Sequence, residues 1–310
     1  AAADPTLSVG GILDAIGGNI RVGHSDIFVT EACEYTNSFL HFHPRYSIIL
    51  DIEAEHLDFF KDINDIRHSF HLFAKNTISD GAIIMNGQIE RPEEITEGLS
   101  QEVITYGLDP SFTYYAKDIT YNEKACGRFS VYKNGEKLGK VALSVPGEHN
   151  VYNSLAAIAV TEKMGISLED IIHGLSIFGG AKRRFELKGK VNGITVIDDY
   201  AHHPTEIEAT LHAAKNYPHG RLICVFQPHT YSRTKAFLKD FAKALSLADI
   251  VVLADIYAAR EKNTIGISSA DLAAKIDGAR FFPTFDGLET ALRETLEPGD
   301  IVLTVGAGNV

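Results

Sequence analysis

Tryptophan is absent from this 310-residue sequence, and cysteine and methionine are scarce, at three and two residues. Cys33, Cys126 and Cys224 are odd in number, far apart and form no CxxC pair. That pattern indicates neither a disulfide framework nor a zinc knuckle, and it fits a reducing cytoplasm. No apolar run approaches the ~20 residues of a membrane span, and no basic-then-apolar leader opens the chain, so no membrane partner is expected. Positive charge is also short: 29 Lys and Arg face 41 Asp and Glu, a net charge of −12. A bulk nucleic-acid binder wants the reverse balance. The shortage does not exclude an anionic small ligand, because a few placed arginines and backbone amides suffice to hold phosphate. Internal repeats and low-complexity segments are missing too.

What is present is ordinary globular composition, with 45% hydrophobic and 23% charged residues, over a length that suits two domains. The opening AAADPTLSVGGILDAIGG reads as the tail of a helix, then Asp4-Pro5 and a glycine-rich turn. Apolar runs at 26–32, 46–52 and 81–86 read as strands, and Ile63, Ile66, Phe70 and Phe73 recur at helical spacing within 60–76. This alternation predicts an α/β fold with a mostly parallel sheet. Residues 101–145 turn to Tyr, Phe, Thr and Val, and Asn134-Gly135 signals a hairpin, so an antiparallel ribbon is expected to join that sheet. Helices at 150–164 and 167–178 close a first domain, 1–178. Beyond a hinge at Gly179-Gly180, strands at 193–200, 221–228, 249–257 and 300–308 alternate with helices, among them 204–217 and 232–248. That series predicts a doubly wound, Rossmann-like second domain, 179–310.

Four polar segments interrupt these elements. In SVPGEHNVYNSLAAIAV (144–160), Asn150 and Asn153 lie three apart on a first helical turn, with His149 beside them. They are either helix caps or one side of a polar ligand site, and the alanines after them mean close packing of a helix or a flat ring. In RRFELKGKVNGITVIDDYAHHPTE (183–206), Asp198, Asp199 and Tyr200 end a strand, and His202-His203 follow. Ligands of doubly wound folds sit beyond such strand ends. Two carboxylates and two imidazoles in six residues also resemble a metal site, which would make the chain a metal-dependent hydrolase. In FQPHTYSRTKAF (226–237), His229, Tyr231 and Arg233 follow the next strand. A first-turn arginine is disfavoured by the helix dipole unless an anion is near, and it can clamp a carboxylate or phosphate. In TEACEYTNSFLHFHP (30–44) and DIEAEHLDFF (51–60), Glu31, Glu34 and His56 lie at or after strand ends. They are either an exposed acidic loop or a Mg²⁺ environment.

Taken together and in this order, GEHNVYNSLAAIA, EACEYTNSFL, IEAEHLDFF, RRFE…DDYAHHPTE and FQPHTYSRT resemble the Mur ligase family along nearly the whole chain. The resemblance implies a central ATP-binding domain followed by a Rossmann-like substrate domain. It also implies a reaction. ATP phosphorylates the carboxylate of UDP-N-acetylmuramate, and the amine of L-alanine attacks the acyl phosphate to give an amide, ADP and phosphate. An acceptor that is a preformed peptide is the nearest alternative. The implied cofactors are ATP and Mg²⁺. Residue by residue, Glu31 and His56 would hold Mg²⁺, and His149, Asn150 and Asn153 would meet the base, with the small residues after them admitting it. Arg184 and Asp199 would hold phosphate and ribose from across a domain cleft. Glu34, Tyr200, His202, His203, His229, Tyr231 and Arg233 would orient the substrates. Family members carry an upstream UDP-binding domain and a P-loop of the kind GTHGKT. No GxxxxGK[ST] occurs here, and the sequence stops at GAGNV where the family continues. The resemblance therefore implies a fragment that holds ATP phosphates poorly and is inactive alone.

Overall fold

The computed structural model describes residues 3–57 and 59–310. The chain divides into two compact units, one of residues up to 120 together with 126–179, the other of 121–125 with 180–310.

The first unit opens on a small sheet. β1 (Thr6–Leu13) is its middle strand, antiparallel to β2 (Gly18–Arg21) and parallel to β3 (Phe28–Thr30). The helix tail expected here is thus a strand, apart from residues 1–2, which lie outside the described residues. TLSVGGIL explains the difference: paired glycines weaken a helix, whereas Val, Ile and Thr suit a pleated surface.

A larger sheet follows. Its elements are β4 (Tyr46–Ile49), α1 (Ile63–Lys75), β5 (Ala82–Asn86), α2 (Glu93–Thr96), β6 (Glu102–Gly107), β7 (Tyr114–Tyr121), β8 (Cys126–Lys133) and β9 (Glu136–Pro146), then α3 (Glu148–Lys163) and α4 (Leu168–Ile177). The strands lie in the order β4-β5-β6-β7-β8-β9, parallel from β4 through β7. β6, expected in the ribbon, belongs to the parallel part. The antiparallel hairpin is β8–β9, and Asn134 and Gly135 both take the positive φ (49° and 88°) that a tight two-residue turn requires.

The period-two alternation of β5 sorts its side chains between two cores. Ala82 and Ile84 pack with Val151, Leu155 and Ile158 of α3, while Ile83 and Met85 pack with Ile66, Phe73 and Ala74 of α1. Ala156 and Ala159 are buried in the α3 core beside Tyr106 and Tyr114. The small residues of α3 therefore let the helix lie close on its own sheet.

The second unit contains β10 (Glu186–Val191), β11 (Ile194–Asp199), α5 (Pro204–Lys215), β12 (Leu222–Phe226), α6 (Tyr231–Ala236), α7 (Leu238–Leu245), β13 (Ile250–Leu253), α8 (Ser269–Ala273), β14 (Arg280–Phe281), α9 (Phe285–Thr295) and β15 (Ile301–Val305). Its sheet runs β10-β11-β15-β12-β13-β14, parallel except for the edge strand β10, which sequence patterning missed. β12 is buried on both faces. Leu222, Cys224 and Phe226 meet Leu211, Phe241 and Leu245 on one side; Ile223 and Val225 meet Leu288 on the other. This is the two-faced covering that a parallel sheet demands. The helix expected over 232–248 is broken at Phe237 (φ −106°, ψ 23°), and the break seats the Phe237 ring against His203, with ring centroids 4.9 Å apart. Among the described residues no helix is long and apolar enough to cross a membrane.

Candidate functional site

The carboxyl ends of β11 and β12 carry the densest polar cluster. Tyr200 and His202 leave β11, and His229 and Arg233 follow β12. The rings form a chain: Tyr200 to His202 at 5.4 Å, His202 to His229 at 5.8 Å, and His229 stacked on Tyr257 at 5.8 Å. An Arg233 guanidinium nitrogen lies 3.3 Å from His229 Nδ1. The strands dictate this proximity, because β11 and β12 flank β15 in register and their next residues emerge at one edge. Tyr231 opens α6, partly exposed.

Buried acids hold the loops in place. Asp198 accepts from Arg183 Nε (3.0 Å) and Thr304 Oγ1 (3.0 Å), while the other Arg183 nitrogens donate to the carbonyls of Gly306 and Gly308. The Arg183 guanidinium also lies 5.1 Å over the Tyr200 ring. Asp199 is only 5% exposed and accepts from Phe185 N (2.9 Å), Ala201 N (2.8 Å) and Thr210 Oγ1 (3.1 Å). Burial pushes its carboxyl up, although these donors pull it down. Its carboxylate braces the loop that bears Arg184. Arg184 itself is well exposed, with its guanidinium 3.7 Å from Glu206. His203 is buried against Phe237, so it supports the loop and does not face solvent.

Sequence reasoning assigned no role to Arg183 and missed Glu206, Tyr257 and Glu261. Glu206 accepts from the backbone of His202 (2.9 Å) and His203 (3.2 Å), closing a capping box at the start of α5. Burial acts against its ionised form, but the His202 and Arg184 charges and these backbone donors outweigh it and hold the carboxyl below its usual range. The His-x-x-Glu spacing was the available signal. Glu261 accepts from the backbone and hydroxyl of Ser232 and so ties down the turn that bears Arg233. Nothing local to Tyr257 or Glu261 announces these contacts.

Among the described residues, no group of three or more His, Cys, Asp or Glu is placed to hold a metal ion. The hydrolase reading therefore lacks its centre: Asp198 and Asp199 are turned into the fold.

In the first unit the helix cap of α3 is Gly147, not an asparagine. Asn150 donates to the Pro146 carbonyl (2.7 Å) and lies 3.0 Å from His149 Nε2, while Asn153 donates to Asn150 Oδ1 (3.3 Å). The three side chains form one polar strip on the first turn. His56 Nε2 meets Glu34 Oε1 at 3.2 Å, and the imidazole hydrogen bond holds Glu34 below the ordinary carboxylate range against its burial. Tyr35 packs on the same imidazole at 4.6 Å. The carboxylate beside His56 is thus Glu34. Glu31 turns back to accept from Gly10 N at 2.5 Å. A cavity of about 120 Å³ lies beside this pair, lined by Glu34, Asp51, Glu53 and Glu55.

Comparison with known proteins agrees with both units. Residues 18–161 match the Mur ligase middle domain, and 183–308 match the Mur ligase glutamate ligase domain. The UDP-N-acetylmuramate–L-alanine ligase of Agathobacter rectalis is 63% identical over 99% of this chain and 68% of its own length. The enzyme of the same name from Lachnospira eligens is 55% identical over 100% and 69%. The crystal structure of UDP-N-acetylmuramate–alanine ligase from Thermotoga maritima superposes with a TM-score of 0.80 at 29% identity, covering 99% of this chain and 66% of that one. A murein peptide ligase from Psychrobacter arcticus gives 0.68 at 27% identity, covering 98% and 69%. The chain belongs to the Mur ligase family of ATP-dependent, amide-forming ligases and carries that family's middle and C-terminal domains.

Proposed function

We propose that the chain takes part in joining L-alanine to UDP-N-acetylmuramate in the cytoplasm, as a step of peptidoglycan precursor synthesis. The observation that carries this reading is 63% identity, over nearly the whole chain, to a ligase of that name. A carboxylate is a poor electrophile without a leaving group. Its oxygen attacks the γ-phosphorus of ATP, ADP departs, and an acyl phosphate forms. The alanine amine attacks the acyl carbon and loses its proton, and phosphate leaves.

The roles follow the chemistry of each side chain. The amides of Asn150 and Asn153, with His149, offer donors and acceptors to the edge of a purine. Arg184, exposed on a braced loop, meets phosphate oxygens. Arg233, His229, His202 and Tyr200 receive the alanine and the reacting carboxylate. A divalent ion supplies charge neutralisation between two anions. The donor set of Glu34 with His56 suits Mg²⁺, which keeps most of its waters and takes few protein ligands. It does not suit a closed zinc site.

The test is ADP release by the full-length gene product with UDP-N-acetylmuramate, comparing L-alanine with a tripeptide. Turnover with alanine and not with the peptide is expected. The opposite preference overturns the acceptor assignment.

A further inference from the structure

Three residues other than glycine take left-handed backbone around one ion pair. Thr36 (φ 54°, ψ 22°) and Asn37 (φ 60°, ψ 24°) follow Glu34 in the turn Tyr35–His41, and His56, the partner of Glu34, has φ 53°. Asparagine tolerates that region, but a β-branched threonine adopts it only where its surroundings compel it. Such residues collect at ligand clamps, where the rest of the fold holds them in place.

The contacts show what compels the turn. Asn37 N donates to the Glu34 carbonyl at 2.8 Å, which closes the chain around Tyr35 and Thr36. Asn37 Oδ1 accepts from the hydroxyl of Ser69, a buried residue of α1. Two residues on, Phe39 is buried and stacked on Phe73 of the same helix, with ring centroids 4.7 Å apart. Phe39 N and the Ser38 hydroxyl both return to the Cys33 carbonyl, at 2.9 and 2.8 Å. The Thr36 side chain is exposed, so packing at Thr36 does not set the turn. Burial of Phe39 is non-directional and fixes how deep the turn sits. The Ser69 hydrogen bond is directional and fixes how the turn is rotated.

We infer that Asn37 is a positioning residue: pinned to Ser69, it holds the left-handed turn that sets the Glu34 carboxylate 3.2 Å from His56 Nε2. It acts through the Glu34 backbone. A carboxylate and an imidazole held together before a divalent cation arrives bind it more tightly than the same groups on a loose segment. That use rests on the proposed Mg²⁺ reading; the positioning does not.

The test compares Asn37→Gly, which keeps left-handed freedom but loses the acceptor, with Ser69→Ala, which loses the donor. Two measurements are made on the chain. The first is the nuclear Overhauser effect between the Tyr35 and His56 rings, whose centroids lie 4.6 Å apart. It is expected in the parent and lost or much weakened in either variant. The second is Mn²⁺ titration followed by electron paramagnetic resonance, Mn²⁺ standing in for Mg²⁺. Each variant should bind about tenfold more weakly, the scale of losing a group that orients a metal ligand. The double variant should bind no more weakly than either single one, since both act through one hydrogen bond. A residue that merely stabilises the turn would lower the unfolding midpoint and leave both readouts in place. A ring contact kept in both variants overturns the inference, and so does a double variant whose losses add. Should Asn37→Gly fail to fold, Ser69→Ala decides by the same two readouts. A parent chain that takes up no Mn²⁺ sinks the cation reading, and the ring contact then decides the positioning.

Discussion

The polar residues of the two units are held in different ways. In the second unit, Tyr200, His202, His229 and Arg233 stand on loops tied from beneath by buried groups: Asp198 with Arg183, Asp199 with Phe185 N and Ala201 N, and Glu206 with the two histidine amides. In the first unit, Asn150 and Asn153 bond mainly to each other and to one carbonyl, and Glu34 bonds to His56. Both pairs are at least partly exposed. The lesson concerns preorganisation. A cluster braced by buried acids is fixed before any ligand arrives, and the cost of burying those acids is spread over many hydrogen bonds. A strip of amides bonded side by side can exchange its internal bonds for those of a ligand.

The comparison breaks most visibly at Arg183. Arg183→Ala leaves Asp198 buried without its guanidinium and frees the Gly306 and Gly308 carbonyls, so it should cost about 3 kcal/mol in denaturant unfolding. A loss below about 1 kcal/mol would mean that the brace contributes little. Arg233→Ala tests the other layer. It should reduce kcat/KM for the amino acid about 100-fold in the full-length protein, the scale of one charge-assisted contact, while Tm stays within a few degrees. A large fall in Tm would make Arg233 structural. Asn150→Ala should raise the KM for ATP about tenfold, about 1.4 kcal/mol, and leave that for alanine nearly unchanged. Because Gly147 and not Asn150 is the cap of α3, the stability loss should stay under about 1 kcal/mol. Equal effects on both substrates would remove the base-binding role.

The smallest effect expected is a pH dependence at Asp199. Its carboxyl is raised in the fold above the ordinary 3.8. Between those two values the folded chain binds more protons than the unfolded one, so this group's contribution to stability falls as pH rises through the window. Glu206, lowered in the fold, acts oppositely and loses its contribution as pH falls. Asp199→Asn should therefore flatten the loss of stability as pH rises above about 4, seen as a pH-dependent difference in unfolding midpoint between variant and parent. A constant difference across pH would show that Asp199 does not titrate with folding.

Much of this molecule was legible in its residues, and the reasons are local. Continuous apolar runs such as LICVF mark strands covered on both faces, and Asn134-Gly135 marks its hairpin, because each depends on neighbours only a few residues away. The motifs DDYAHHPTE and FQPHTYSRT were likewise readable as polar loops at strand ends. The errors arose where distant packing outweighs local preference. TLSVGGIL became a strand because β3 pairs with it. The edge strand β10 has no apolar pattern of its own. The helix over 232–248 breaks at Phe237, whose ring packs against His203.

By itself, then, the sequence determined the α/β order of elements, the two strand-end motifs and the resemblance that names the chemistry, all properties of short segments and their spacing. Only the tertiary structure decided which atoms those motifs share: that Asp199 turns inward, that Glu34 is the carboxylate at His56, and that Tyr257 and Glu261 meet residues about 30 positions away. Register across a parallel sheet brings those groups together, and nothing within one segment specifies which distant strand will lie beside it.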